Sequence, residues 1–310
     1  MRRPKVSVIG AGFVGTMTAQ RIVEHDLADC VLVDIIEGMP QGKALDIAQS
    51  AGIEGFDAKI AGTNDFSEIG GSRIVVVTAG FARLPGMSRE DLARKNGQII
   101  KAVTEKIRDY APESILLMVT NPVDVMTQLA WKVSGFPFHR VIGMGGVLDA
   151  GRFQLFLARE LGVAPREIEA LVLGGHGDSM VPVGRSTKLK GIPVSELLKP
   201  ERLRAVIEQT RYGGAEIVGL LKTGSAFHAP SAAVFVMVEA ILRDTKRVLP
   251  ASVYLDGQYG IRGCFIGIPV RLGAGGVEER QEIELAEEEL TALRRSAELV
   301  EKTFNELCFS

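Results

Sequence analysis

One stretch near the start of the chain limits the fold more than any other: the apolar run KVSVI followed at once by Gly10-Ala11-Gly12-Phe13-Val14-Gly15. In such a turn the first glycine permits a tight bend out of a strand. The second lets backbone amides approach a pyrophosphate, and the third lets the next helix pack closely on the strand. The helix N-terminus then favours the phosphate charge. A glycine turn alone also serves purely structural strand-to-helix junctions. Asp34 makes the signal specific, because it ends the next apolar run, CVLVD, roughly 20 residues beyond the turn. A carboxylate there accepts the two hydroxyls of an adenosine ribose and repels a 2′-phosphate, which predicts NAD in preference to NADP. The bland alternative for Asp34 is a turn aspartate.

The chain keeps to this plan over its first half. KVSVIG (5–10), CVLVD (30–34), AKIAGT, RIVVVTAG, SILLMVTN and RVIGM (140–144) read as strands. Helices are expected from near Gly15, over GKALDIAQSAG, and from about Arg89 to Tyr110. Near-continuous apolar strands alternating with helices indicate a parallel sheet covered on both faces. Residues 1–144 are therefore expected to form an α/β, doubly wound Rossmann domain. After Gly145 the pattern changes: amphipathic helices (DAGRFQLFLARELG, PERLRAVIEQTRYGGAEIVGLLK) flank EALVLGGHG, SVYLDGQYG and GCFIGIPVRLG, whose spacing suggests antiparallel strands. The final segment LAEEELTALRRSAELVEKTFNEL has helical spacing and an acidic first turn. Residues 145–310 are expected to form an α+β domain that binds substrate.

Composition removes several function classes. Hydrophobic residues make up 46% and charged residues 24% of the 310, as in ordinary globular proteins. A net charge of −2 gives no reason to expect nucleic acid or an anionic membrane as partner. The 3 cysteines, Cys30, Cys264 and Cys308, form no CxxC pair, which suits free thiols in a reducing compartment and predicts no metal site. The longest apolar runs fall far short of a membrane span. MRRPKVSVIGAG runs directly into structured sequence without a cleavage region, so a cytoplasmic location is expected.

Reactive side chains cluster at strand ends, where ligands bind in such sheets. Arg83 and Arg89 share the loop FARLPGMSRED after RIVVVTAG; two guanidiniums on one loop can grip a ligand with two acidic ends, or be solvated surface. Of 4 histidines, His176 alone lies between glycines just past an apolar strand, in LVLGGHGDSMVP. That setting suits an acid/base, although a lone histidine is more often structural. An orienting carboxylate is needed; Asp149 in GGVLDAGRF is a better candidate than Asp178, with an N-cap role as its alternative. Arg152 shares the Asp149 helix face and could bind a carboxylate bidentately. Asn121, in VTNPVD, could meet cofactor or substrate, or merely shape an Asn-Pro turn.

The stretches VIGAGFVG, VLVDIIEGMPQGKALD, VVVTAGFARLPGMSREDL, VTNPVDVMT, RVIGMGGVLDAGRF, GGHGDSMVP, LLKTGSA and GIPVRLGAGGVEE stand in order with little drift. In them the chain resembles the lactate/malate dehydrogenase family over essentially its whole length, most closely its bacterial malate-acting, lactate-dehydrogenase-like members. The resemblance implies reversible oxidation of (S)-malate to oxaloacetate with NAD in the tricarboxylic acid cycle, by a homodimer or homotetramer. It implies that His176 accepts the proton, Asp149 orients it, Arg152 grips the C1 carboxylate and Arg89 polarises the carbonyl. Arg83 would select the second carboxylate, a position where lactate enzymes typically carry glutamine. Asn121 would contact substrate, with Asn96, Val119 and Thr120 lining the nicotinamide side. Oxidation of lactate or another 2-hydroxy acid is the neighbouring alternative, and a non-catalytic nucleotide sensor the distant one. Leu84, Gly151 and His228 depart from the family's usual basic residue, alanine and tyrosine.

Overall fold

The apolar runs of the first half become strands, and the central ones are buried on both faces. The structure, a computed structural model, describes residues 3–81 and 89–309, with the backbone alone at residues 89, 90, 308 and 309. Six strands lie parallel: β1 (Lys5–Ile9), β2 (Asp29–Val33), β3 (Ile60–Thr63), β4 (Ile74–Val77), β5 (Ile115–Met118) and β6 (Val141–Gly143). Every residue of β4 and β5 is buried, which explains why neither alternates polar with apolar. Between them run α1 (Phe13–Glu24), α2 (Met39–Gln49), α3 (Ala51–Glu54), α4 (Arg89–Tyr110) and α5 (Val123–Ser134). The order β3-β2-β1-β4-β5-β6 reverses direction between β1 and β4, opening a crevice at the carboxyl ends of both strands. Helix α1 begins at Phe13, two residues before the glycine expected to open it, because Gly12 serves as its N-cap.

The second half begins with α6 (Gly146–Leu161) and continues through five two-residue strands. These are β7 (Ile168–Glu169), β8 (Val172–Leu173), β9 (Val181–Pro182), β10 (Lys188–Leu189) and β11 (Ile192–Pro193). EALVLGGHG was expected to form one strand and is broken instead. β7 pairs with β10 and β8 with β9, in two separate small sheets. The Leu171 amide between them donates to the Thr187 hydroxyl. Then come α7 (Val194–Leu197), α8 (Pro200–Leu221) and α9 (His228–Leu242). Two long strands, β12 (Arg247–Asp256) and β13 (Arg262–Gly273), precede β14 (Gly276–Arg280) and α10 (Glu287–Phe309). These last strands pair antiparallel, as expected, but do not form a sheet of their own. β12 pairs with β6 at Ser252 and Gly143, giving nine strands in the order β14-β13-β12-β6-β5-β4-β1-β2-β3.

A large core surrounds this sheet, and a smaller one is built on Phe153, Phe156, Leu157, Met180 and Val194. Gly151 lies on the exposed side of α6 with nothing within 4 Å of a would-be Cβ, so packing does not require a glycine there. No helix among the described residues is long and apolar enough to cross a membrane.

Candidate active site

Each glycine of the turn has a separate physical reason. Gly10 has φ +105°, and a Cβ on it would sit 2.7 Å from the Ala79 amide nitrogen. A Cβ on Gly15 would lie 1.9 Å from the Gly10 carbonyl oxygen, so α1 packs against the strand end through bare backbone. At Gly12 a Cβ would meet nothing within 4 Å. Space therefore remains at the N-terminus of α1, where no side chain caps the first amides. That combination fits a pyrophosphate. Gly15→Ala is expected to destabilise the fold by about 3 kcal/mol through overpacking. Gly12→Ala should keep its melting temperature yet weaken NADH binding, as thermal unfolding and fluorescence titration would report.

Asp34 also holds the turn. Its Oδ2 accepts the Ala11 amide at 2.7 Å and its Oδ1 accepts the Ile36 amide at 3.0 Å. Lys43 Nζ, from α2, donates to the Ala11 carbonyl at 2.5 Å, so charges of both signs grip the same residue. Exposed Phe13, Ile35 and Ile36 flank the carboxylate with apolar surface. Phe13 stacks on Phe227, with ring centroids 5.2 Å apart, and Phe227 lies 4.2 Å from the ring of His228. Phe227, the N-cap of α9, thus joins the second half to the cradle of the glycine turn, with exposed His228 beside it.

The ends of β4 and β5 are tied together by two side chains. Thr120 Oγ1 donates to the Ala79 carbonyl at 2.7 Å. Asn96, fully buried on α4, accepts the Phe81 amide at 2.8 Å and donates to the carbonyls of Phe81 and Asn121. The side-chain amide of Asn96, expected to line the nicotinamide side, is engaged with backbone and braces the ends of these two strands. Val119 and Thr120 are buried, while Asn121 is exposed at the mouth of the crevice. Arg83 and Leu84 lie outside the described residues, and of Arg89 only the backbone that opens α4 is described.

The candidate reacting centre lies where the first turn of α6 meets the GGHG segment. His176 Nδ1 is 2.8 Å from Asp149 Oδ2, and Arg152 Nη1 donates to Asp149 Oδ1 at 3.3 Å. Asp149, 1% exposed, therefore has a partner on each oxygen. The N-cap of α6 is Gly145, so the N-cap alternative for Asp149 is excluded. Gly145 suits this close approach, since a Cβ there would sit 3.1 Å from His176 Cβ, tighter than an ordinary contact. With Nδ1 held by Asp149, ring chemistry directs proton exchange to Nε2. Helix α8 crosses Arg152 at Gly213 and Gly214, where a Cβ on Gly214 would come within 3.2 Å of Nη2.

The electrostatics favour a protonatable ring. Burial works against the imidazolium, but the charge of Asp149 and its hydrogen bond, with help from Asp124, outweigh burial and the opposing Arg152. The His176 pKa is raised as a result. Asp124, Ser296, Gly213 and Gly214 were not singled out from sequence. An acid in the first turn of α5 reads as a dipole complement, and a glycine pair inside a helix as a local weakness. Their contacts with the site arise from tertiary folding alone.

Comparison with known proteins bears on the whole chain. The family model described as lactate/malate dehydrogenase, NAD binding domain, matches residues 4–143, and that for the alpha/beta C-terminal domain matches residues 146–308. A curated relative named malate dehydrogenase, from Roseiflexus sp. (strain RS-1), is 56% identical over 298 residues, covering 96% of each chain. The solved malate dehydrogenase of Salinibacter ruber is similar with a TM-score of 0.94 at 48% identity, covering 98% of this chain and 97% of that one. The lactate dehydrogenase of Cryptosporidium parvum, solved with lactic acid and β-nicotinamide adenine dinucleotide, gives a TM-score of 0.97 at 39% identity. Coverage there is 100% of this chain and 99% of that one.

Proposed function

The chain belongs to the lactate/malate dehydrogenase family, and from that membership we propose that it interconverts (S)-malate and oxaloacetate with NAD. The observation that carries the chemistry is the Arg152–Asp149–His176 arrangement, a buried carboxylate joining an acid/base to a carboxylate-binding guanidinium. When bound across the strand ends, the nicotinamide supplies the hydride acceptor. The residues do the rest. Arg152 binds the C1 carboxylate of the 2-hydroxy acid, and His176 Nε2 takes the hydroxyl proton. Asp149 stabilises the imidazolium so formed, and Arg89 stabilises the negative charge developing on oxygen. In the reducing direction His176 must carry its proton when oxaloacetate binds. Arg83 pairs with the second carboxylate and selects the dicarboxylate over lactate. Asn121 contacts substrate, while Val119 and Thr120 form the nicotinamide wall that Asn96 supports.

We place the enzyme in the cytoplasm, in the tricarboxylic acid cycle, as a homodimer or homotetramer, which light scattering would distinguish. The direct test is a panel of oxaloacetate, pyruvate and longer 2-oxo acids with NADH and NADPH. Oxaloacetate with NADH should lead it. Because Asp34 repels a 2′-phosphate, kcat/KM with NADH should exceed that with NADPH by roughly 10²-fold. Equal values would remove Asp34 from the specificity argument, and pyruvate leading the panel would shift the reading to lactate.

A further inference from the structure

Three consecutive amides of the segment that carries His176 are held by three different elements. The Gly174 amide donates to the Gly267 carbonyl of β13 at 2.9 Å, and the Gly175 amide to Ser296 Oγ of α10 at 2.8 Å. The His176 amide donates to Asp124 Oδ2 of α5 at 2.8 Å. Two of these acceptors are neutral and the third is a carboxylate, 4% exposed. A backbone clamp does not require a charge, because a neutral side-chain carbonyl would accept the same bond without the desolvation penalty of a buried ion. Moreover, Asp124 Oδ1 has no well-formed hydrogen bond, and neither has the hydroxyl of Ser252 on β12 beside it. The carboxylate is therefore expensive for a role that is only structural.

We infer that Asp124 is a positioning residue for the proton transfer: it fixes the backbone from which the His176 ring projects, and it sets a second carboxylate near that ring. This rests on the reading of His176 as the acid/base. The charged groups facing His176 are Asp149 and Arg152 from α6 and Asp124 from α5. Those facing Asp124 are His176 and Asp149, with the Cys264 thiol of β13 close by. Burial raises the Asp124 carboxyl pKa; the Ser252 hydroxyl, then the His176 amide and ring, pull it back, and the charge of Asp149 adds to the rise. The negative charge of Asp124 in turn favours the imidazolium, in the same direction as Asp149 and against Arg152.

Asp124→Asn separates the two jobs. Its side-chain oxygen still accepts the His176 amide, and its new NH2 faces the Ser252 hydroxyl, but the charge is gone. Oxaloacetate reduction needs the imidazolium, so kcat/KM falls as pH rises through the His176 pKa. In Asp124→Asn that falling limb should move to lower pH by about half a unit or more. The rate at low pH should stay within a few-fold of the parent. A limb that stays in place while the rate drops equally at every pH would mean a purely structural Asp124 and overturn the inference. If the asparagine variant fails to fold, Asp124→Ser supplies a smaller neutral acceptor and reads the same limb. A parent enzyme whose limb survives in His176→Asn would defeat the assignment of His176 instead, which keeps the two failures distinct.

Discussion

Replacing His176 by asparagine is expected to lower kcat/KM for oxaloacetate reduction by about 10³-fold, within the range for loss of one positioned acid/base. Asparagine can still donate to Asp149, so the buried carboxylate keeps a partner and the melting temperature should change little. The absorbance of NADH at 340 nm reads the rate directly. The pH profile carries the same information with a sign. The His176 pKa lies above the ordinary histidine value. Reduction should therefore hold below that raised pKa and decline as pH rises through it, whereas malate oxidation should gain over the same interval. The linkage to folding has the same sense. The raised value stabilises the native state fully below the ordinary histidine pKa, and that contribution disappears as pH rises through the folded one. Both limbs should vanish in His176→Asn. Activity that survives the substitution would remove His176 from the chemistry.

Arg83→Gln should give the second large effect, in ratio rather than in rate. A carboxylate enclosed without a cation is a desolvated, unpaired charge, whereas the methyl group of pyruvate needs no partner there. The ratio of kcat/KM for oxaloacetate over pyruvate is expected to fall on the order of 10³-fold. Most of the fall should come from lost oxaloacetate activity. In the proposed reading Arg152 and the Asp149–His176 pair would serve both substrates alike, so the chemistry should continue on pyruvate. An unchanged ratio would disconnect Arg83 from substrate choice.

The cofactor half was legible from sequence because its signals are local. Gly10, Gly12 and Gly15 act through their own backbone and their nearest neighbours, and Asp34 follows at a fixed spacing set by one strand–helix–strand unit. The pairing of His176 with Asp149 was legible only as a choice. His176 and Asp149 are brought together by the packing of α6 against the GGHG segment, and sequence alone left an N-cap as a nearly equal reading of Asp149. Asp124 was invisible for the same reason carried further: it reaches His176 through a main-chain amide, so no pairing of side-chain types announces it. EALVLGGHG misled because its apolar content is that of a strand, while its backbone partners lie in different sheets. The extension of the parallel sheet by β12 was likewise hidden, since edge pairing depends on which strand ends uncovered rather than on either strand's own composition.

That shared sheet has a practical consequence. The two halves differ in sequence pattern, yet β6 and β12 are joined in one hydrogen-bonded ladder at Gly143 and Ser252. A fragment stopping after β6 would present that strand as a bare edge, with unpaired amides and carbonyls ready to recruit another chain. α5 would at the same time lose the cover it takes from β12, β13 and α10. Expressed alone, the nucleotide half should therefore self-associate, and it should be rescued by co-expression with the remainder rather than by lower temperature or higher salt.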